Sequence, residues 1–119
     1  MGDNLTAQRR PCANCPWRLD APVGEFEPDR FRSLARCGED QSFVIFTCHK
    51  STEDAPIACA GFLERGATHN LAIRLAYLGR LERMDRSGGV ALHPNYRAMA
   101  VAQGVPADDP ALANCRDDQ

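Results

Sequence analysis

Lysine is nearly missing from this sequence. Lys50 is the only one among 14 basic residues, so arginine carries the positive charge. A GC-rich genome accounts for that bias, and recognition of phosphate or carboxylate by guanidinium forks is the sharper alternative. No excess of either sign is present. The 16 acidic residues leave a net charge of −2, which excludes a global basic field that would gather nucleic acid. Long apolar runs are missing too. No stretch approaches the roughly 20 residues that a membrane-spanning helix needs. Residues 1–10 hold no apolar core of signal-peptide length. The expected location is therefore cytoplasmic, with no membrane partner. Aromatic residues are scarce at 7%, and Trp17 is the only tryptophan, so the core they can build is modest. A chain of 119 residues has the length of one domain. Domains of this size bury a smaller share of their surface and often recruit a covalent or metal staple.

Cysteine is what the sequence has in quantity, with six residues. In a reducing compartment, closely spaced cysteines point to metal ligation or redox chemistry before structural disulfides. The densest stretch is Pro11-Cys12-Ala13-Asn14-Cys15-Pro16-Trp17-Arg18. Two cysteines separated by two residues can hold one metal ion from a single turn, and the flanking prolines restrict that turn.

The pattern along the chain predicts an α+β class, mostly α, with about four helices and one short β element. Residues 1–10 read as a polar tail, 11–105 as one cysteine-rich metal-binding domain and 106–119 as an acidic, mostly irregular tail. Pro28 sits where a helix accepts proline, Asp29 follows in the first turn, and Gly38 supplies a stop, which predicts a helix over 28–37. Residues 42–47, Ser-Phe-Val-Ile-Phe-Thr, read as a buried strand that delivers Cys48 and His49. Pro56 opens a short helix over 57–65, with Cys59 in its first turn. The longest helix is expected over 68–83, enclosed by two apolar stripes: Leu71, Leu75 and Leu78, then Ile73, Tyr77 and Leu81. A last helix runs from near Pro94 to Gly104, with Tyr96, Met99 and Ala100 inward. Trp17 is expected to cover the site and the core as apolar mass.

The candidate ligand set is Cys12, Cys15, Cys48 and Cys59. Thiolates suit zinc or an iron–sulfur cluster, because both prefer soft donors. Four protein ligands leave no open coordination position, so zinc held this way is structural. His49 is an alternative ligand to Cys48. Adjacent side chains at a strand end point to opposite faces, so one of the two faces the metal. Cys37 is expected to be a spare, half-buried thiol, and Cys115 can replace Cys59 if the tail folds back. The competing explanation is ordinary buried thiols, which pack like small apolar residues.

The set Pro11-Cys12-x-x-Cys15-Pro16-Trp17-Arg18-x-Asp20, Phe46-x-Cys48-His49, Cys59-Ala60-Gly61-Phe62 and Arg74-x-Ala76 resembles a family of small cysteine-rich domains of unknown function from actinobacteria and their phages. The resemblance implies that Cys12, Cys15, Cys48, His49 and Cys59 act as a set. It implies no activity and no partner.

Three functions compete. The first is a zinc-stapled binding or regulatory module contacting protein or nucleic acid, with Arg9, Arg10 and Arg18 near the knuckle; Asp3 and Asp20 nearby favour a merely charge-balanced surface. The second is an iron–sulfur redox sensor. The third is an enzyme with Cys48 as nucleophile and a histidine as base. It is the weakest, because His49 diverges from Cys48, and His69 or His93 would have to arrive from elsewhere.

Overall fold

The computed structural model describes residues 5–48 and 56–117. Its helices are short: α1 is Pro28–Leu34, α2 is Ala60–Arg65, α3 is Leu71–Ala76 and α4 is Tyr96–Ala102. Tighter 3-10 turns form at Ala35–Gly38 and Pro110–Leu112. Among the described residues, β structure is confined to isolated bridges. The architecture is thus mostly α with little β, as expected. No helix of the described residues is long and apolar enough to cross a membrane.

Helices of six or seven residues do not persist alone in water. Tertiary packing holds these, and its centre is Trp17. The indole is fully buried. Its ring meets Phe46 and Tyr96 edge-on at 5.9 Å each and Phe62 at 6.4 Å. α2 lies against it so closely that a Cβ on Gly61 would stand 2.4 Å from the Cβ of Trp17. One on Gly66 would stand 2.5 Å from the far edge of the ring. Glycine at both positions lets the backbone touch the indole. α1 and α4 close the other side through Phe31, Tyr96, Met99 and Ala100, all fully buried. The Tyr96 hydroxyl donates to the carbonyl of Phe31 at 2.6 Å.

Among the described residues, three short segments form the laddered region that bears on the site. Residues 6–8 pair in parallel with 58, and residues 46–48 pair antiparallel with 57–59. Ala58 stands in the middle, bridged on one side to Ala7 and on the other to Thr47. This ladder changes three expected boundaries. Ile57 and Ala58 are extended, so α2 begins at Ala60 and Cys59 is its N-cap rather than a first-turn residue. The strand expected over 42–47 contracts to the bridge at Thr47. Upstream of it, the carbonyls of Ser42 and Val44 accept from Leu71 N–H at 2.8 Å and Asn70 Nδ2 at 2.7 Å. Those groups are satisfied by the start of α3 instead of by a partner strand, and Phe43 is left 62% exposed.

α3 is the largest departure. The Asn70 side chain caps it by accepting from Ile73 N–H. It stops after Ala76, whose carbonyl accepts from the N–H groups of Gly79, Arg80 and Leu81. That turn returns Leu81 to the core and leaves Leu75 and Leu78 outside. Only one of the two expected stripes is therefore enclosed. α1 and α4 follow the expected pattern more closely. α1 starts at Pro28 and passes into the 3-10 turn ending at Gly38. α4 keeps Tyr96, Met99 and Ala100 inward, and Gly104, with φ +107°, lies just beyond its end.

Residues 106–117 return to this core. Leu112 is fully buried and Cys115 nearly so. The Cys115 thiol donates to the Ala35 carbonyl at 3.2 Å, and Arg32 pairs with Asp109 at 2.8 Å. Truncating Leu112 to Ala should cost about 2–5 kcal/mol, as for other buried leucines. Gly61→Ala should cost about 1–3 kcal/mol by overpacking against Trp17. Urea unfolding monitored by tryptophan fluorescence checks both. A Leu112→Ala change within about 0.5 kcal/mol, as at an ordinary surface position, would mean that residues 106–117 do not dock.

Candidate metal centre

Cys12 and Cys15 sit on two consecutive turns. Cys15 N–H donates to the Cys12 carbonyl and Arg18 N–H to the Cys15 carbonyl, each at 3.1 Å. Pro11 and Pro16 are both buried and clamp the turn from either side. The second pair is delivered by the ladder. Cys48 N–H donates to the Ile57 carbonyl at 2.6 Å, and Cys59 N–H to the Phe46 carbonyl at 3.0 Å. With Thr47 opposite Ala58, residues 46, 48, 57 and 59 share one face. Two cysteines eleven positions apart thereby become diagonal neighbours across a two-strand ribbon.

That face and the knuckle meet. Cys12, Cys15, Cys48 and Cys59 line one cavity of about 10 Å³, walled further by Phe26, Phe31 and Phe46. The space is about that of one water-sized sphere. The sulfurs of Cys15 and Cys59 lie 3.6 Å apart. Around a tetrahedral zinc with bonds of about 2.3 Å, sulfurs stand about 3.8 Å from one another. Cys12 is half-buried and the other three are buried. Among the described residues, no group of three or more His, Cys, Asp or Glu side chains is drawn together closely enough to hold an ion. The closed pair is Cys15 with Cys59; Cys12 and Cys48 stand around the same space.

The electrostatics separate the members of that pair. The hydrogen bond from Cys59 lowers Cys15 to a pKa of about 7, against the opposing effect of burial. The N–H groups of Trp17 and Gly61 and the charge of Arg18 add to the lowering. Cys59 is pushed well above the ordinary thiol value, first by donating to Cys15 and then by burial. Of the two sulfurs, Cys15 is the one favoured to ionise first, with Cys59 kept as the thiol. The N–H groups of Phe62 and Gly61 act in the opposite sense on Cys59, toward a thiolate. Both sulfurs draw on the N–H of Gly61, which the bare approach of α2 to Trp17 brings there.

Other candidate residues lie elsewhere. His49 falls outside the described residues. Cys37 is buried more deeply than expected and packs near Cys115, and burial raises both thiols, Cys115 to about 11. Cys115 does return to the core, but to the carbonyl of Ala35 instead of to the cavity. His69 lies 3.8 Å from Asp40, and His93 N–H donates to the Trp17 carbonyl; neither histidine lines the cavity. Arg18 makes two hydrogen bonds to Asp20, at 2.7 and 2.8 Å, so its charge is balanced locally. Two contributors escaped the sequence pattern. Gln8 Nε2 donates to the Cys48 sulfur at 3.5 Å, which the pairing of Ala7 with Ala58 makes geometrically available. Gly61 stood in the Cys-Ala-Gly-Phe motif, but its role became visible only through Trp17.

The fold and the thiol-lined cavity define a small cysteine-rich domain with short helices. A family model described as "Family of unknown function (DUF6283)" matches residues 7–116, and the chain belongs to that family. No curated protein and no solved structure matches the chain.

The thiol pair yields a pH prediction. In metal-free protein, one thiolate should appear with a midpoint near about 7, two units below the ordinary thiol value of 9.0. Thiolate ultraviolet absorbance followed over a pH titration checks this. Cys15→Ser should abolish that step and Cys37→Ser should leave it. A first thiolate appearing only near pH 9 would refute the assigned pair.

Proposed function

We propose that Cys12, Cys15, Cys48 and Cys59 hold one zinc ion as a closed structural site. On this reading the domain is a metal-stapled binding or regulatory module. The observation that carries it is the arrival of four sequence-distant thiols at one atom-sized cavity. Supporting it are the spacing of the Cys15 and Cys59 sulfurs and the backbone N–H groups directed at both, which favour thiolates. Ligation then requires Cys12 and Cys48 to turn their sulfurs onto the existing pair. The staple would tie the knuckle, the ladder and the start of α2 together. That is where helices too short to stand alone most need a cross-link. The tightness of the cavity favours a single ion over a multi-iron cluster.

Elemental analysis of protein purified without added metal should give one zinc per chain and no colour. Cys12→Ser and Cys15→Ser should each lose the metal and much of the fold, because structural zinc binding is coupled to folding. Cys37→Ser should keep both. Zinc affinity should fall as pH is lowered, because Cys59 must give up its proton at any neutral pH and Cys15 must do so below about 7. Brown protein with visible absorbance after anaerobic purification would replace zinc with an iron–sulfur cluster. Metal-free protein with an intact fold would overturn the staple.

A further inference from the structure

The four thiols around the cavity are not equally sheltered. Cys15, Cys48 and Cys59 are buried, whereas Cys12 is half-buried. Cys12 also borders two spaces at once. One is the narrow cavity it shares with the other three thiols. The second is an open cleft of about 450 Å³, which none of the other three lines. Gln8, Arg10 and Arg18 stand in the wall of that cleft, so it suits a small hydrophilic molecule better than an apolar one. Cys37 and Cys115 are buried and line neither space. A reagent arriving from solvent therefore meets Cys12 before any other thiol of the set.

A reaction at Cys12 has a partner within reach. Cys15 N–H donates to the Cys12 carbonyl at 3.1 Å, and the Cys15 side chain lines the same cavity. A turn closed by that bond keeps its first and fourth Cα atoms within about 7 Å. A disulfide spans Cα separations of up to about 6.8 Å. Cys48 and Cys59 lie on the ladder, a separate part of the chain, and are not needed for such a link.

We propose that Cys12 is where hydrogen peroxide oxidises this site, and that the disulfide it then forms with Cys15 releases the metal. The inference rests on the closed zinc site proposed above. The Cys12 thiolate attacks the peroxide O–O bond, takes one oxygen as a sulfenic acid and expels hydroxide. The Cys15 thiolate then attacks the Cys12 sulfur, the S–O bond breaks and a second hydroxide leaves. The two thiolates have given up two electrons, the peroxide has accepted them, and both hydroxides take protons from solvent to become water. Half of the ligand set is consumed, and Cys48 and Cys59 alone do not make the four-coordinate site that structural zinc requires. A thiol reductant reverses the disulfide and restores the set, so the staple is a peroxide-sensitive switch on the fold it supports.

The test uses the full chain with the metal it carries on purification, and hydrogen peroxide as the oxidant. Dimedone present during the reaction should trap the sulfenic acid on Cys12. Without dimedone, peptide mapping should find the Cys12–Cys15 disulfide, and a colorimetric chelator should register one zinc released per disulfide formed. Reductant with added zinc should reverse both. The double variant Cys37→Ser, Cys115→Ser should react as the native chain does. No variant of the ligand set is required, so loss of fold in such variants does not affect the outcome. Trapping first on any other cysteine, a disulfide that omits Cys12, or zinc retained through the oxidation would overturn the proposal. Elemental analysis before oxidation separates the two readings. Zinc present but indifferent to peroxide sinks the switch and leaves the staple; a chain that carries no zinc sinks both.

Discussion

Ala58 is paired on both sides, and the rest of the candidate site follows from that double pairing. Its antiparallel neighbour, Thr47, sets the register that puts Cys48 and Cys59 on one face. Its parallel neighbour, Ala7, sets Gln8 against the Cys48 sulfur. The same segment offers the Gln8 carbonyl to Arg86. A shift of one residue in the antiparallel pairing would put Cys48 and Cys59 on opposite faces. Ala58 itself is 1% exposed.

The second organising contact is the flat approach of α2 to Trp17. Gly61 does two things at once. It allows the helix to touch the indole, and the same closeness carries its N–H to the sulfurs of Cys15 and Cys59. The core and the thiol pair are therefore not independent features. Trp17 packs against one side of α2 while Cys15, two residues earlier, sits at its N-terminus. The knuckle's position is inherited from the aromatic cluster, and the aromatic cluster is closed by Phe46, two residues before Cys48.

Much of this was readable from the residues, and the parts that were not share a cause. That Cys12, Cys15, Cys48 and Cys59 border one space was legible because the spacing and prolines around Cys12 and Cys15 are hard to explain as packing. The inward face of α4 was legible because Tyr96, Met99 and Ala100 repeat at helical spacing between the start near Pro94 and the stop at Gly104. What escaped depends on partners far along the chain. Pro56 and the residues after it look like a helix start until Ala58 is seen to be bridged on both sides. Residues 42–47 look like a strand until their carbonyls are seen to be taken by Asn70 and Leu71. The run over 68–83 looks like one amphipathic helix, but Ala76 gathers three amide donors and unwinds it. The core role of Leu112 and Cys115 was invisible because residues 106–119 are acidic and lack periodicity.

The bridges join residues 7 to 58, 18 to 92 and 39 to 115. Each closes a long loop, and each helix is too short to form in advance of the contacts that bury it. Order in this molecule has no local starting point. Closing such loops carries an entropic cost before any packing can offset it, which makes for slow, concerted acquisition of structure. During synthesis, the aromatic cluster around Trp17 must wait for Tyr96, and the thiol of Cys37 must wait for the segment at 115. The thiol of Cys37 therefore stays without its native surroundings until nearly all of the chain has been made.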